Sequence, residues 1–327
     1  MKTTRSSSGI QWNPVSLAEA SAARERTREI TVRTPLVRFD YDTDAQIFLK
    51  LECLQPIRSF KLRGSANAIL AAGRDHLAEG VWTSSAGNMA QGVAWCAREM
   101  GVPCTVVVPD HAPDTKVRAV ERLGGRIVRR PFDAWWQLLV DRGSPEFPGR
   151  FIHPVSDAEV MAGNATVALE ILEDVPDVAA IVVPYGGGGL SCGIASAIRQ
   201  LAPHVKVYAA EVDTAAPLAP ALAAGELVPT TYTPSFVDGI GGRTVLAEMW
   251  PLASTLLTGS IVVSLAEVAA AWRLVLERNR VLAEGAGAAA VAAALTARAG
   301  DGPVVAVVSG GNIDPTVVVK LLTGELP

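Results

Sequence analysis

The sequence predicts an α/β protein built on mostly parallel sheets, and three observations predict it. Short apolar runs alternate with stretches of helical period from residue 47 to residue 308, the pattern of successive β-α units. The runs at 103–108, 180–184 and 304–308 carry few polar residues, as strands covered on both faces do. Glycine, serine and asparagine crowd the loops that follow several of these runs, where a strand hands over to a helix.

In chain order, residues 47–51 read as a strand and 64–72, with their alanine-rich spacing, as a helix, so Lys61 falls at a strand-to-helix junction. Residues 81–83 are a strand, 84–88 a loop, and 89–100 an amphipathic helix stopped at Gly101. Strand 103–108, helix 114–123 with its Gly124-Gly125 stop, and strand 126–129 repeat the unit. The segment 141–150, with its Gly, Ser and Pro residues, reads as a linker returning between domains. Ser156-x-x-Glu159 is then expected to be the capping box of a helix running to 172. Strand 180–184, helix 190–201, strand 205–210, a long helix capped by Ser264-x-x-Glu267, and strand 304–308 complete the series.

With 327 residues the chain has room for two core-bearing units, at a rough ~150 residues per domain. Hydrophobic residues make up 49% and charged residues 19%, which excludes a disordered or fibrous chain. A net charge of −4 argues against nucleic acid as a partner, since that grip needs a basic face to displace counterions. Cys53, Cys96, Cys104 and Cys192 lack CxxC spacing and read as buried free thiols of a reducing cytoplasm. Residues 1–8 contain no apolar h-region, and no apolar run reaches the ~18 residues of a membrane span. A soluble, cytoplasmic protein is expected.

Four loops carry the chemistry. In Ser59-Phe60-Lys61-Leu62-Arg63-Gly64 a lysine sits beside an aromatic residue. Held against apolar surface, its amine loses hydration, favours the neutral form and becomes a nucleophile toward a carbonyl, a candidate Schiff-base lysine. Taken alone, Lys-x-Arg on a solvated helix face explains the same residues. Tyr185-Gly186-Gly187-Gly188-Gly189-Leu190, between an apolar strand and a helix, offers unhindered backbone N–H groups at a helix N-terminus, a phosphate cradle. It is neither a P-loop nor a dinucleotide fingerprint, and a flexible hinge is the alternative. Ser84-Ser85-Ala86-Gly87-Asn88 opens a helix and reads either as a carboxylate-binding turn or as an N-cap. Val308-Ser309-Gly310-Gly311-Asn312 ends the last strand, where α/β proteins bind ligands; a plain polar turn reads equally well.

Together these segments resemble the serine/threonine dehydratase family of pyridoxal-phosphate enzymes, which includes serine racemases. The resemblance runs through Thr34-Pro35-Leu36, Lys50-Leu51-Glu52, Gln55-Pro56, the Lys61 segment, Ser85-Ala86-Gly87-Asn88 with Ala90-Gln91-Gly92, the tetraglycine loop, Glu284-Gly285-Ala286-Gly287-Ala288 and Ser309-Gly310-Gly311-Asn312. It implies fold type II (tryptophan synthase β-like), with a large domain of residues 1–75 and 152–327, an inserted small domain of 76–151, pyridoxal 5'-phosphate in the cleft, and a homodimer. It also implies that Lys61 holds the cofactor and acts as the Cα base, and that Phe60 lies beside the ring. Asn88 would contact the ring oxygen, Gly186, Gly187, Gly188, Gly189 and Leu190 the phosphate, and Ser309 the pyridine nitrogen, with Glu284 supporting. Ser85, Ala86, Gly87, Asn88 and Met89 would bind the substrate carboxylate, and Thr83 and Ser84 are secondary polar candidates. The expected reaction is α,β-elimination from a threonine- or serine-like amino acid to a 2-oxo acid and ammonia. A serine at the ring nitrogen cannot enforce ring protonation, which favours prompt loss of the β-group.

Departures refine the expectation. Ala86 stands where racemases carry a serine, and a methyl shuttles no proton, so racemase activity becomes an alternative reading in which Ser84 or Ser85 would have to reach the far face. Met89 replaces a histidine and makes room for a larger, aromatic β-substituent such as that of 3-phenylserine. Arg58 replaces a glycine and either pairs with a second substrate carboxylate, as in 3-hydroxyaspartate, or turns to solvent. Asn164 replaces a glutamine. In the family's cation site Glu211 and Ala215 match, but Pro217 stands for the last ligand and Asp213 is out of register, so no tight divalent site is expected. A catalytically silent cofactor-binding module is the reading from another class; β-replacement by sulfide lacks its usual Asn-Thr-Gly loop.

Overall fold

The apolar runs become the strands of two sheets in the computed structural model, which describes residues 13–41 and 45–327. The polar stretch 1–8 lies outside the described residues. Helix α1 (Leu17–Thr27) leads into a hairpin of β1 (Leu36–Arg38) and β2 (Ile47–Lys50), and a 3-10 turn at Glu52–Leu54 delivers the chain to α2 (Lys61–Ala72). Next come β3 (Val81–Ser84), α3 (Asn88–Glu99), β4 (Cys104–Pro109), α4 (Asp114–Arg122), β5 (Arg126–Arg130), α5 (Phe132–Val140) and β6 (Arg150–Phe151). Then follow α6 (Ala158–Asp174), β7 (Ala180–Pro184), α7 (Gly189–Leu201), β8 (Lys206–Val212), α8 (Leu218–Ala224) and α9 (Trp250–Leu256). The chain closes with β9 (Gly259–Val263), α10 (Leu265–Asn279), α11 (Gly285–Leu295), β10 (Val304–Val307) and α12 (Pro315–Thr323).

A six-stranded sheet runs β1-β2-β10-β7-β8-β9, and a four-stranded sheet, drawn from residues 81–151, runs β5-β4-β3-β6. Every pairing is parallel except β1 with β2. The last strand enters the middle of the larger sheet, with Val304 opposite both Ile47 and Ala180. Alternation along its strands feeds two cores. Ile181, Val183, Val207, Ala209, Val305 and Val307 face α6 and α7, whereas Ala180, Val182, Ala210, Val212, Val304 and Ala306 face α10 and α11. This explains the unbroken apolar runs of the sequence, because both faces of the sheet are covered.

Helix α2 is seated by close backbone approaches. A Cβ on Gly163 of α6 would stand 2.3 Å from the Arg63 carbonyl, and one on Gly92 of α3 would stand 2.6 Å from Ser65 Oγ. Glycines at these crossings let α6 and α3 grip α2. The helix starts at Lys61, earlier than the alanine spacing suggests, with Phe60 as its N-cap. Beneath it lies a buried ionic cluster. Arg63 reaches Glu52 through Nε and Nη2, both at 2.8 Å, and Glu170 through Nη1 at 2.7 Å and Nη2 at 2.8 Å. Lys50 Nζ donates to Glu170 at 2.6 Å and to the Thr34 carbonyl at 2.7 Å. Burial pushes the Glu52 carboxyl upward, but the charge and hydrogen bonds of Arg63, the Thr34 hydroxyl and the Lys50 charge together outweigh it and hold it below its usual value.

One local expectation is corrected. Asp157, not Ser156, caps α6, accepting from Glu159 N at 2.9 Å and Val160 N at 3.2 Å. Ser156 is taken elsewhere, its hydroxyl accepting from Arg142 Nη1 at 2.6 Å and donating to Glu248 at 3.1 Å. The second box forms as expected, with Ser264 and Glu267 bonding reciprocally at the head of α10. Residues 132–140, ahead of the expected linker, form helix α5. All four cysteines are free and buried. No described helix is long and apolar enough to cross a membrane.

Candidate active site

Strand ends and helix starts converge on a cavity of about 300 Å³ between the two sheets. Lys61, first residue of α2, enters it from below, its Nζ donating to the Pro154 carbonyl at 2.7 Å and lying 5.2 Å from the Phe60 ring centroid. Burial lowers its pKa to about 8, against the opposing pull of the Glu284 carboxylate. A neutral carbonyl orients the amine without adding a counter-charge in contact, so the deprotonated form stays accessible near neutral pH.

Three loops are sewn together around that amine. Phe60 N donates to the Ser309 carbonyl, Gly311 N to the Arg58 carbonyl and Glu284 N to the Gly310 carbonyl, each at 2.9 Å. Asn312 Nδ2 donates to Ile57 O at 2.9 Å and to Asn88 Oδ1 at 2.8 Å. That bond fixes the Asn88 amide, whose Nδ2 donates to the Glu284 carboxylate at 2.9 and 3.1 Å. Burial raises the Glu284 carboxyl to about 7, with the Asn88 bond pulling the other way. Ser309 is buried and lines the same cavity.

Opposite lies the tetraglycine loop, linking β7 to α7. Gly188 is the N-cap of α7 in the left-handed region, φ 94°. A Cβ on Gly187 would stand 2.6 Å from Val155 Cγ2, and one on Gly189 would stand 2.7 Å from the Val155 carbonyl. The loop therefore lies flush on Val155, with bare backbone at the head of a thirteen-residue helix turned to the cavity, the arrangement that receives an anion. Ser85, Ala86, Gly87, Asn88 and Met89 line the facing wall at the start of α3, and Leu190 the loop side.

Ser84 also lines the cavity, whereas the other expected residues lie apart from this group. Arg58 is exposed, adopts φ 59° and does not line the cavity. Thr83 Oγ1 donates to the Ile152 carbonyl at 2.8 Å, and Ser84 Oγ to the Trp135 carbonyl at 3.1 Å, which ties both hydroxyls to backbone. Asn164 donates to the Gly189 carbonyl at 3.3 Å, behind the loop. Glu211 accepts from Leu218 N and Ala219 N, each at 2.8 Å, and from Ser260 Oγ at 2.6 Å. With Ala215, Asp213 and Pro217 it forms no cluster of three or more His, Cys, Asp or Glu, and none occurs among the described residues.

Sequence reasoning missed Pro154 and Val155, which hold the lysine and the glycine loop, and Trp135, Leu139, Pro109 and Asp238, which also line the cavity. The 3-4 spacing of Trp135, Leu138 and Leu139 after Pro131 was a signal for α5. Pro154 carried none, since its role is played by a backbone carbonyl. Asp238 is bridged by Lys116 Nζ of α4 at 2.7 Å, an ion pair across the cleft. His153 Nδ1 accepts from Ser156 N at 2.9 Å and Val155 N at 3.2 Å. Burial and the charges of Arg142 and Lys61 depress the His153 pKa to about 3, so the ring is neutral and pins the segment that holds Lys61.

Residues 28–310 match the family described as pyridoxal-phosphate dependent enzyme. The chain is 40% identical to an L-threonine ammonia-lyase of Geobacter sulfurreducens over 299 residues, covering 89% of this chain and 74% of that protein. It is 35% identical to the serine racemase of Homo sapiens over 315 residues, covering 92% of each. The solved structure of maize serine racemase superimposes with a TM-score of 0.87 at 30% identity, covering 95% of this chain and 98% of that one.

Proposed function

The chain belongs to the pyridoxal-phosphate dependent enzymes, and from that premise we propose that it is a lyase converting a β-hydroxy-α-amino acid to a 2-oxo acid and ammonia. The site's donors fit the cofactor: a buried amine on a helix start, bare glycine backbone at the head of α7, and the Ser309 hydroxyl on the facing strand end. Lys61 would hold its aldehyde, Gly186 to Gly189 and Leu190 its phosphate, Ser309 its ring nitrogen, and Phe60 and Asn88 its ring. When bound, pyridoxal phosphate supplies an electron sink that acidifies the Cα proton of an attached amino acid.

The chain's own residues do the rest. Backbone N–H groups at the start of α3, those of Ala86, Asn88 and Met89, bind the substrate carboxylate, while Ser85 N is held by the Val107 carbonyl at 3.1 Å and Gly87 N by Ser85 Oγ at 3.3 Å. Lys61 Nζ, its pKa lowered to about 8 by burial, takes the Cα proton. The β-hydroxyl departs as water, and water returned in the final hydrolysis releases ammonia, so the net change is amino acid to 2-oxo acid plus ammonia. The observation that carries this reading is Ala86 in the same cavity as Lys61. A methyl group there supplies no second proton, the Ser84 hydroxyl is already donated to Trp135 O, and the Ser85 hydroxyl is turned to Gly87 N, from which it accepts at 3.3 Å, so elimination is favoured over inversion.

The test is keto-acid release from serine, threonine, 3-phenylserine and 3-hydroxyaspartate, with chiral analysis of the residual amino acid. Keto acid from none of them would sink the lyase reading, and L-to-D exchange outpacing keto-acid formation would favour the racemase instead. Arg58, exposed and outside the cavity, gives no support to 3-hydroxyaspartate. We read the protein further as a cytoplasmic homodimer, on its four buried free thiols and the exposed Val319, Leu322 and Leu326 near its C-terminus.

A further inference from the structure

Two unlike sets of side chains line the cavity. Lys61, Ser84, Ser85, Asn88, Asp238, Glu284 and Ser309 are the polar ones. The apolar set includes Met89 and Pro109 with two residues of α5, Trp135 and Leu139. Residues four apart on a helix share a face, so both side chains of α5 meet the cavity side by side. Trp135 Nε1 donates to the Val107 carbonyl at 3.1 Å. With its polar atom committed, the indole offers the cavity its carbon surface. Phe132 and Trp136 pack against it as tilted rings at centroid distances of 5.6 and 6.2 Å, which holds the ring in place.

Charge is sparse there. Among the described residues the charged side chains lining the cavity are Lys61, Glu284 and Asp238, and Asp238 is paired with Lys116. A second substrate carboxylate would find no arginine or free lysine and would be desolvated without a partner. A hydrogen or a methyl at the β-carbon would leave the indole and leucine surfaces without contact atoms. A ring fills that space and gains offset aromatic contact.

We propose that Trp135 and Leu139 form the seat for the β-substituent, and that the enzyme selects β-hydroxy-α-amino acids with an aromatic or branched aliphatic β-substituent. Turnover of such substrates rests on the lyase reading; the seat itself is a binding property and is tested separately.

Two readouts on the holoenzyme keep them apart. One is kcat/KM for keto-acid release from 3-phenylserine, threonine, serine and 3-hydroxyaspartate. The other is equilibrium binding of phenylalanine, alanine and aspartate, which lack a β-hydroxyl, read from the cofactor's visible absorption. The wild type should prefer 3-phenylserine to threonine, and bind phenylalanine over alanine, each by roughly tenfold or more. Trp135→Ala and Leu139→Ala should erase both preferences, and Leu139→Arg should shift them toward 3-hydroxyaspartate and aspartate. Trp135→Phe and Leu139→Val, which keep the wall apolar, should only shrink them and serve if the alanine variants do not fold. Phenylalanine binding no tighter than alanine, or a preference that survives all the variants that fold, overturns the seat even if keto acid is released. A phenylalanine preference lost in the variants without keto acid from any substrate upholds the seat and removes the lyase reading.

Discussion

Lys50 and Lys61 are both withdrawn from bulk water, yet their surroundings are opposites. Lys50 ends β2 with a side chain 0% exposed and a Glu170 carboxylate oxygen at 2.6 Å. Its neighbour Arg63 spans two carboxylates, so every charge in that cluster is answered by contact. Lys61 meets a neutral carbonyl at 2.7 Å, and its nearest acid of consequence, Glu284, is itself pushed up to about 7 by burial. Contact carboxylates turn a buried cation into scaffold, because separating the pair leaves a bare charge. A carbonyl orients an amine and leaves its proton negotiable. The same stretch of chain thus provides a fixed platform at Arg63 and, two residues earlier on α2, an amine free to give up its proton.

Removing each charge should expose that difference. Lys61→Ala should lower turnover at least about a thousandfold, within the range for a general base, and abolish the cofactor's visible band. Its urea midpoint should stay close to wild type, since no ion pair is lost; a large drop would show that Lys61 is scaffold too. Arg63→Met should do the reverse, destabilising the fold by about 3–5 kcal/mol through the uncompensated Glu52 and Glu170, measured by urea unfolding. A change under about 1 kcal/mol would place the cluster with ordinary surface pairs.

Gly187→Ala acts on the reactive side alone. Its Cβ would meet Val155 Cγ2 at 2.6 Å, so the loop must shift, and cofactor affinity should fall by about 1–3 kcal/mol, measured by titrating pyridoxal phosphate into apoprotein. An unchanged affinity would mean that Val155 yields instead. The smallest effects are in pH. Attachment of the cofactor to apoprotein needs the neutral amine, so its rate should rise with pH and level off above about 8; a midpoint near that of a free lysine would remove the desolvation argument. In the cluster the sign is opposite. Glu52 is held below the ordinary glutamate value of 4.5, so its stabilisation is present above that value and is lost as pH falls through its lower native one. Acid titration of the urea midpoint, compared with Glu52→Gln, checks this.

How much of this was legible beforehand depended on where each signal is written. The parallel sheets, the tetraglycine loop, Lys61 and Ser309 are set by runs and loops whose chemistry is local, and their neighbours in sequence announce them. The Lys50, Glu52 and Arg63 cluster was visible as motif residues but not as an ionic core, because Glu170 arrives from α6. Ser156 looked like a cap by spacing alone, and tertiary partners, Arg142 and Glu248, overrode it. Trp135 and Leu139 went unread because their spacing announces a helix but not that its half-buried face meets a cavity formed with distant loops. Arg58 read either as a substrate ligand or as a guanidinium turned to solvent; it is exposed, and its left-handed backbone at φ 59° turns the chain there.

The place of β10 has a consequence for how the molecule comes into being. Residues 304–307 lie between strands formed by 47–50 and 180–182, so a chain emerging from the ribosome holds Lys61 long before the strand that completes its surroundings. The four-stranded sheet, drawn wholly from 81–151, is complete early and is free to fold ahead of the rest. The reactive lysine therefore waits, through most of synthesis, beside a sheet with an open seam. Closure of that seam by distant residues is the slow, high-separation step. Capture of the cofactor then belongs to the end of folding and reports that the final strand has arrived.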